Sequence, residues 1–269
     1  MILFSYEKLY DAIIINRPSK IIKSPFVADA LIENKEFLLH TPSLGCCGLC
    51  QANSNVKCIK INSEKCSFRA CLSQIETKGK KILIGIEPKS AEKIALSALQ
   101  KNLVQDLNIS KIEKEKKFLN SRFDFCGLTN TNQKFICEVK NVPIADYADV
   151  TKTERKKMDF SKRKYNDKIA YFPDGYRKNS KSVVSERALK HVNELEIIKN
   201  KNPEIRCILL FVIQREDVSS FQPSRLDPIY LEAIRKAYNS GVEIKTIQVK
   251  WENNNAIFMR NDLPINIFD

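Results

Sequence analysis

The segment Ile-Arg-Cys-Ile-Leu-Leu-Phe-Val-Ile-Gln, residues 205–214, is apolar at every position from Cys207 to Ile213. It has the length of a strand, and a strand with no polar side must be covered on both faces. The covering layers stand beside it in the chain. Upstream, ERALKHVNELEIIKN carries Leu189, Val192, Leu195 and Ile198 at helical spacing. Downstream, PIYLEAIRKAYNSG reads as a helix closed by Gly241, and VEIKTIQVKW as the next strand. Strands and helices alternating about a buried strand specify an α/β layered domain.

The first 89 residues have a different rhythm. IIIN, FVADALIE, FLLH, VKCIKIN, FRACLSQIE and KKILIGIE are strand-length and rich in β-branched residues, with turn-formers between most of them. Five or six short strands in about 85 residues fit a small barrel of the oligonucleotide-binding (OB) type. Residues 90–109 then read as an amphipathic helix, with Ser90 as N-cap and an apolar stripe of Ile94, Leu96, Leu99, Leu103 and Leu107. The sequence therefore divides into an all-β part, 1–89, and an α/β part, 90–269. Trp251 reads as core. Phe26, Phe37 and Phe68 also read first as core, with base stacking as the alternative.

Composition narrows the function. With 43% hydrophobic and 29% charged residues the chain is not a disordered one. No apolar run is long enough to span a bilayer, and the charges scattered through MILFSYEKLYDAIIINRPSK do not make a secretory leader, so an intracellular, cytoplasmic protein without membrane contact is expected. Nine cysteines, an odd number, suit reduced buried thiols. The formal net charge of +13 favours polyanionic partners, with plain solubility as the alternative.

Chemistry concentrates in two segments, SRFDFCGL and KFICEVKNV, joined by the turn-rich TNTNQ. If they form a hairpin centred near residue 131, Asp124 faces Glu138 across the strands. Lys140 leaves the same face as Glu138, and Phe123, Phe125, Cys137 and Val139 make the opposite face apolar. Two adjacent carboxylates resist joint ionisation, and a hard cation such as Mg²⁺ relieves them. A neighbouring lysine orients an attacking water and offsets developing charge. This D…E-x-K order is the PD-(D/E)xK arrangement of metal-dependent phosphodiesterases. On the short pattern alone, an ordinary surface ion pair on an exposed sheet is the plainer reading.

The motifs SRFDF, CEVKNV, YFPD, ERALKHVNEL, LLFVIQRED, FQPSRLDPIY and AYNSGVEI, in that order, together with SPFVADALIENKEFLLHTP, resemble the sugar fermentation stimulation protein (SfsA) family from about residue 17 to residue 265. The resemblance implies an OB-like barrel followed by a restriction-endonuclease-like α/β domain with a mixed central sheet, DNA binding, and a metal-dependent nuclease site. It implies Asp124 and Glu138 as ligands of Mg²⁺ and Lys140 as catalytic lysine. Glu115 stands where the family has a further acid, with Glu113 as the alternative. Asp174 of FPD is a family-like position beside the site. Arg187, Lys190 and His191 resemble the family's R-G-x-K-H run, with Ala188 for the glycine, and their spacing puts them on one helix face suited to phosphate.

The chain departs from the family in three places. Residues 146–169 carry a basic insertion in which 151–168 hold eight Lys/Arg, among them Lys156, Lys157, Arg163 and Lys164, against three acids. A second extension follows Asp174. Both are expected to act as a basic clamp on a DNA backbone, with a solvated loop as the alternative. His40-Thr41-Pro42-Ser43-Leu44-Gly45 replaces the family's H-C-P-N-T-G. Cys47, Cys50, Cys66 and Cys71 approximate a Cys₄ zinc spacing, but on a strand Cys66 and Cys71 would point apart, and buried thiols are expected rather than zinc.

The sequence thus predicts a DNA-binding protein, probing non-specifically with Arg122 and the basic residues named above, and carrying a phosphodiesterase site at Asp124, Glu138, Lys140 and Glu115. Alternatives are a non-catalytic DNA-binding regulator built on the same fold, and an RNA-binding protein.

Overall fold

The computed structural model describes residues 1–43, 48–118, 121–173 and 181–268. In chain order the elements are β1 (Ile2–Ser5), β2 (Tyr10–Asn16), β3 (Val27–Ile32), β4 (Lys35–His40), β5 (Asn55–Lys60), β6 (Phe68–Thr77), β7 (Lys80–Gly85), α1 (Pro88–Gln100), β8 (Ile109–Phe118), β9 (Ser121–Thr129) and β10 (Lys134–Val142). They continue with β11 (Ala145–Asp146), α2 (Lys152–Arg155), β12 (Lys168–Phe172), α3 (Glu186–Lys201), β13 (Arg206–Ile213), β14 (Val218–Pro223), α4 (Pro228–Asn239), β15 (Glu243–Glu252) and β16 (Asn255–Arg260).

The barrel sheet runs β4-β3-β2-β5-β6-β7, and β4 also pairs with β6, which closes the five strands β2–β6. Its interior is filled by Ile14, Ala30, Ile32, Leu39, Val56, Phe68, Ala70 and Ile84. Phe68 and Phe37 pack edge-to-face at 5.1 Å, as core residues should, whereas Phe26 is 39% exposed and does not belong to the core.

The large sheet runs β1-β16-β15-β13-β10-β9-β8. It is mixed, with β10, β13 and β15 parallel and the outer pairings antiparallel. Along β13, Cys207, Leu209, Phe211 and Ile213 pack under α3 and α4, while Ile208, Leu210 and Val212 pack under α1. The unbroken apolar run is thus divided residue by residue between two cores, as a strand covered on both faces requires.

Three local expectations change. Ile2–Ser5 lies at the edge of the large sheet beside β16, outside the barrel sheet. The α1 helix stops at Gln100, and Lys101, Asn102 and Leu103 turn back onto its last carbonyls. Its N-cap is Glu87, and Ser90 sits inside the first turn, donating to the Glu87 carbonyl at 2.7 Å. Pro88 explains the shift: it fills the first helical position, where the missing N–H costs nothing.

Candidate active site

The β9–β10 ladder pairs residues whose numbers add to 262, through Cys126 with Ile136 and Phe125 with Cys137. That is the register the hairpin turn predicts. The ladder then ends. Asp124 is the next residue on its strand, and its Oδ2 accepts the backbone N–H of Val139 at 2.8 Å. A side-chain carboxylate takes the role of a strand carbonyl, which satisfies an otherwise orphaned donor while the two strands part. Phe123 is the correction here. It does not share the apolar face of Phe125 but turns to the α3 side, tilted against the His191 ring at 6.0 Å.

Glu138 is 3% exposed and Lys140 9%. Lys140 Nζ donates to Glu138 Oε1 at 2.6 Å. His191 Nδ1 meets the same oxygen, and Lys140 Nζ lies 3.4 Å from that ring nitrogen. Burial pushes the Glu138 carboxyl up, but the bonds and charges of His191 and Lys140 outweigh it and hold it below the usual carboxylate range. The second oxygen, Oε2, is buried and has no partner among the described residues. A buried carboxylate oxygen without a donor is costly unless a cation or water meets it.

Burial, and then the charge of Glu138, push Asp124 up to about 7; the Val139 amide and Lys140 oppose that rise. Glu92, on the first turns of α1, adds to it. Burial raises Glu92 in turn, with Lys89 and Arg187 opposing and Glu115 and Glu138 reinforcing the rise. Glu92 therefore acts on this acidic group from α1, a residue not singled out in the sequence. Its signal was its position one turn into the helix that covers the parallel strands.

Of the other expected residues, Glu115 lies on β8, flanked by the pairs Lys114 with Phe125 and Lys116 with Phe123, which puts it in the row of Asp124. It sits at φ +52° and its carboxylate is held by exposed Arg122 at 2.9 Å. Glu113 is turned to Lys111 and Lys116 instead. Arg187 is exposed and acts on Glu92, so it belongs at the rim of the site. Lys190 is also exposed and lies 3.9 Å from Glu194. His191 is 5% exposed, so it is not part of an open phosphate-facing surface. It lies on the inner edge of the helical stripe, where Ala188, Val192 and Leu195 are buried. Asp174 lies outside the described residues.

Lys156, Lys157, Arg163 and Lys164 are exposed and lie on a segment that packs on the barrel. Lys78 Nζ, on the β6–β7 turn, donates to the carbonyls of Phe160 at 3.0 Å and Ser161 at 2.7 Å. Among the zinc-spaced cysteines, Cys50 belongs to the barrel core and Cys71 to the α1 core, Cys66 is buried and free, and Cys47 lies outside the described residues. Among the described residues no three His, Cys, Asp or Glu side chains are grouped closely enough to hold a metal ion unaided. The pair that offers oxygen donors is Asp124 and Glu138. Among the described residues no helix is long and apolar enough to cross a membrane.

Comparisons with known proteins agree with this architecture. A family profile described as the Sugar fermentation stimulation protein RE domain matches residues 89–255. A sugar fermentation stimulation protein homolog of Bartonella henselae is 32% identical over 251 residues, covering 91% of this chain and 92% of that one. The homolog of Clostridium botulinum is 29% identical over 232 residues, covering 86% and 85%. Among solved structures, Pyrococcus furiosus SfsA in complex with Ca²⁺ superposes with a TM-score of 0.74 over 99% of both chains at 18% identity. The OB-like barrel followed by a restriction-endonuclease-like domain is thus the fold of the chain.

Proposed function

We propose that this chain, which belongs to the sugar fermentation stimulation protein family, binds DNA and carries a divalent-cation-dependent phosphodiesterase site at the parting of β9 and β10. The observation that carries the reading is the pair Asp124 and Glu138. One carboxyl is raised to about 7 by burial and its neighbour, and the other keeps a buried oxygen without a donor. A hard cation would answer both, and both offer the oxygen ligands that Mg²⁺ takes while keeping several of its waters. That a family relative was solved in complex with Ca²⁺, another oxygen-seeking divalent ion, supports the choice of ligand class.

Bound there, the ion would lower the pKa of a water and offset charge on a scissile phosphate. The chain's own residues have separate tasks. Asp124 and Glu138 would hold the ion. His191 and Lys140 keep Glu138 ionised and aimed. The Lys140 amine would orient the attacking water and offset the charge that develops on the phosphate. Arg187 and Arg122 at the rim would take flanking phosphates, because a guanidinium matches two phosphate oxygens at once. Glu92 and Glu115 stand near enough to bias the charge of the pair.

Cleavage of single- and double-stranded DNA with Mg²⁺ or Mn²⁺ tests this. Activity is expected in the wild type and lost in Asp124→Ala and Lys140→Ala; activity that survives both removes the site. A cation titration into wild type and Glu138→Ala asks separately whether the acids bind metal. One observation favours a second reading, a DNA-binding regulator that uses the fold as a scaffold. Glu138 and Lys140 are nearly sealed and already bonded to each other. That reading expects salt-dependent DNA binding, no cleavage, and little change on Asp124→Ala.

A further inference from the structure

The basic insertion and the turn between β6 and β7 meet in one surface. The turn carries Lys78, Lys80 and Lys81, all exposed. Lys78 bridges to the carbonyls of Phe160 and Ser161, and Lys80 Nζ lies 3.8 Å over the Tyr165 ring. The insertion folds upon itself. Thr151 and Glu154 form a capping box on α2, Arg155 pairs with Asp146 at 2.7 Å, and Tyr147 stacks on Phe160 at 5.3 Å. Beneath it, Lys168 bonds both Thr77 of the barrel and the buried Asp217, whose second partner is Arg215. A segment so tied is a wall, not a tether.

Its charges are sorted. Glu154 serves the Thr151 cap, Asp159 accepts from Ser161, and Asp167 accepts from the Lys164 amide. The acids are thus turned to groups of their own segment, Asp167 also to the Arg163 guanidinium at 3.7 Å. Lys156, Lys157, Lys162 and Lys164 are exposed and make no side-chain hydrogen bond or ion pair among the described residues. Lys78 and Lys80, both tied to the insertion, bring their charge to the same side from the barrel. We infer that this ridge, shared between the barrel turn and the insertion, is a docking surface for the phosphate backbone of duplex DNA. The inference rests on the reading of the chain as a DNA-binding protein and adds where the duplex is held outside the acidic site.

The aromatic rings argue for a duplex over a single strand. Single strands are held by bases stacking on free aromatic faces. Here Tyr147 and Phe160 cover each other, Arg155 lies 4.1 Å over Phe160, and Lys80 covers Tyr165. The ridge offers cations without free rings, which is what contact with a paired backbone needs and what makes it indifferent to sequence.

The test is binding of a labelled 30-base-pair mixed-sequence DNA duplex in EDTA, so that no cation chemistry enters, across a range of salt. The quadruple variant Lys156→Gln, Lys157→Gln, Lys162→Gln, Lys164→Gln is expected to bind at least ten-fold more weakly at low salt. Its slope of log K against log salt should fall by roughly 3 to 4, since each phosphate contact contributes about 0.9. Lys→Arg at the same four positions should bind as the wild type does. Unchanged affinity and slope in the quadruple variant overturn the proposal, as does tighter binding to single-stranded DNA or to an RNA duplex than to the DNA duplex. The nuclease reading fails separately: Asp124→Ala that binds normally, from a wild type that cleaves nothing in Mg²⁺ or Mn²⁺, removes the site and leaves the ridge.

Discussion

Lys140 Nζ donates to Glu138 Oε1 at 2.6 Å inside a sheet that leaves the two side chains 10% and 3% exposed. Removing one partner of a buried pair strands the other. Lys140→Met is therefore expected to destabilise the protein by about 3 kcal/mol, the usual cost of an uncompensated buried charge. The double variant Glu138→Gln/Lys140→Met should be distinctly more stable than the two single effects added together. Urea unfolding of the four proteins reads both. Additive losses would mean that the pair is not coupled, and that Lys140 owes its position to packing alone.

Asp124 gives the pH dependence. A carboxyl raised from 3.8 to about 7 on folding contributes fully to stability below its unfolded value and loses that contribution as pH rises to 7. Asp124→Asn keeps an acceptor for the Val139 amide and cannot ionise. Its melting temperature relative to the wild type should rise between pH 4 and pH 8, by at least about 3 °C. Adding Mg²⁺ at pH 8 should raise the wild type and leave the variant in place. A difference that is flat with pH would show that Asp124 titrates in its ordinary range.

Glu92 acts on the acids from another element. Glu92→Gln removes one of the charges that raise Asp124, so the midpoint for Asp124 should move down, by roughly half a pH unit for a charge at such a distance. Cation affinity at neutral pH should fall by two- to ten-fold, because total negative charge around the ion falls. A titration of the carboxyl resonances by NMR, together with calorimetry of Mg²⁺ binding, checks the two effects independently. No movement of either would remove Glu92 from the site.

Much of this was legible in the sequence because it is local. The apolar run at β13 announces coverage on both faces, and the turn TNTNQ fixes the register that pairs Phe125 with Cys137 and brings Asp124 to the Val139 amide. The motifs that resemble the family carried the restriction-endonuclease-like fold. What was missed is long-range. Nothing in Ile2–Ser5 says that its partner is β16, more than 240 residues away. His191 shares a helical stripe with Arg187, but whether the inner edge of that stripe meets solvent or Glu138 depends on how α3 sits on the sheet. Glu92 joins the acids only because α1 packs across from them. Phe123 turns to the far face because β9 leaves β10 at Asp124, and no alternation of polar and apolar residues encodes that departure.

The junction between the barrel and the large sheet yields the last prediction. Gly85, at the end of β7, donates its amide to the Gln214 carbonyl at 3.0 Å. A Cβ there would lie 2.0 Å from Gln214 Oε1 and 2.7 Å from Trp251 Nε1. The Gln214 side chain is fully buried and committed: its Nε2 donates to Asn141 Oδ1 at 2.8 Å and to Ser90 Oγ at 3.1 Å, and its Oε1 accepts from Trp251 at 3.2 Å. Moving that amide aside breaks bonds to α1, β10 and β15 together and leaves buried donors unmatched. Gly85→Ala should therefore cost about 2 to 4 kcal/mol by urea unfolding, well above a surface substitution. Gln214→Ala removes the obstacle along with the bonds, so adding Gly85→Ala to it should cost little more. If Gly85→Ala alone is neutral, the amide has somewhere else to go, and the network does not fix the barrel against the sheet.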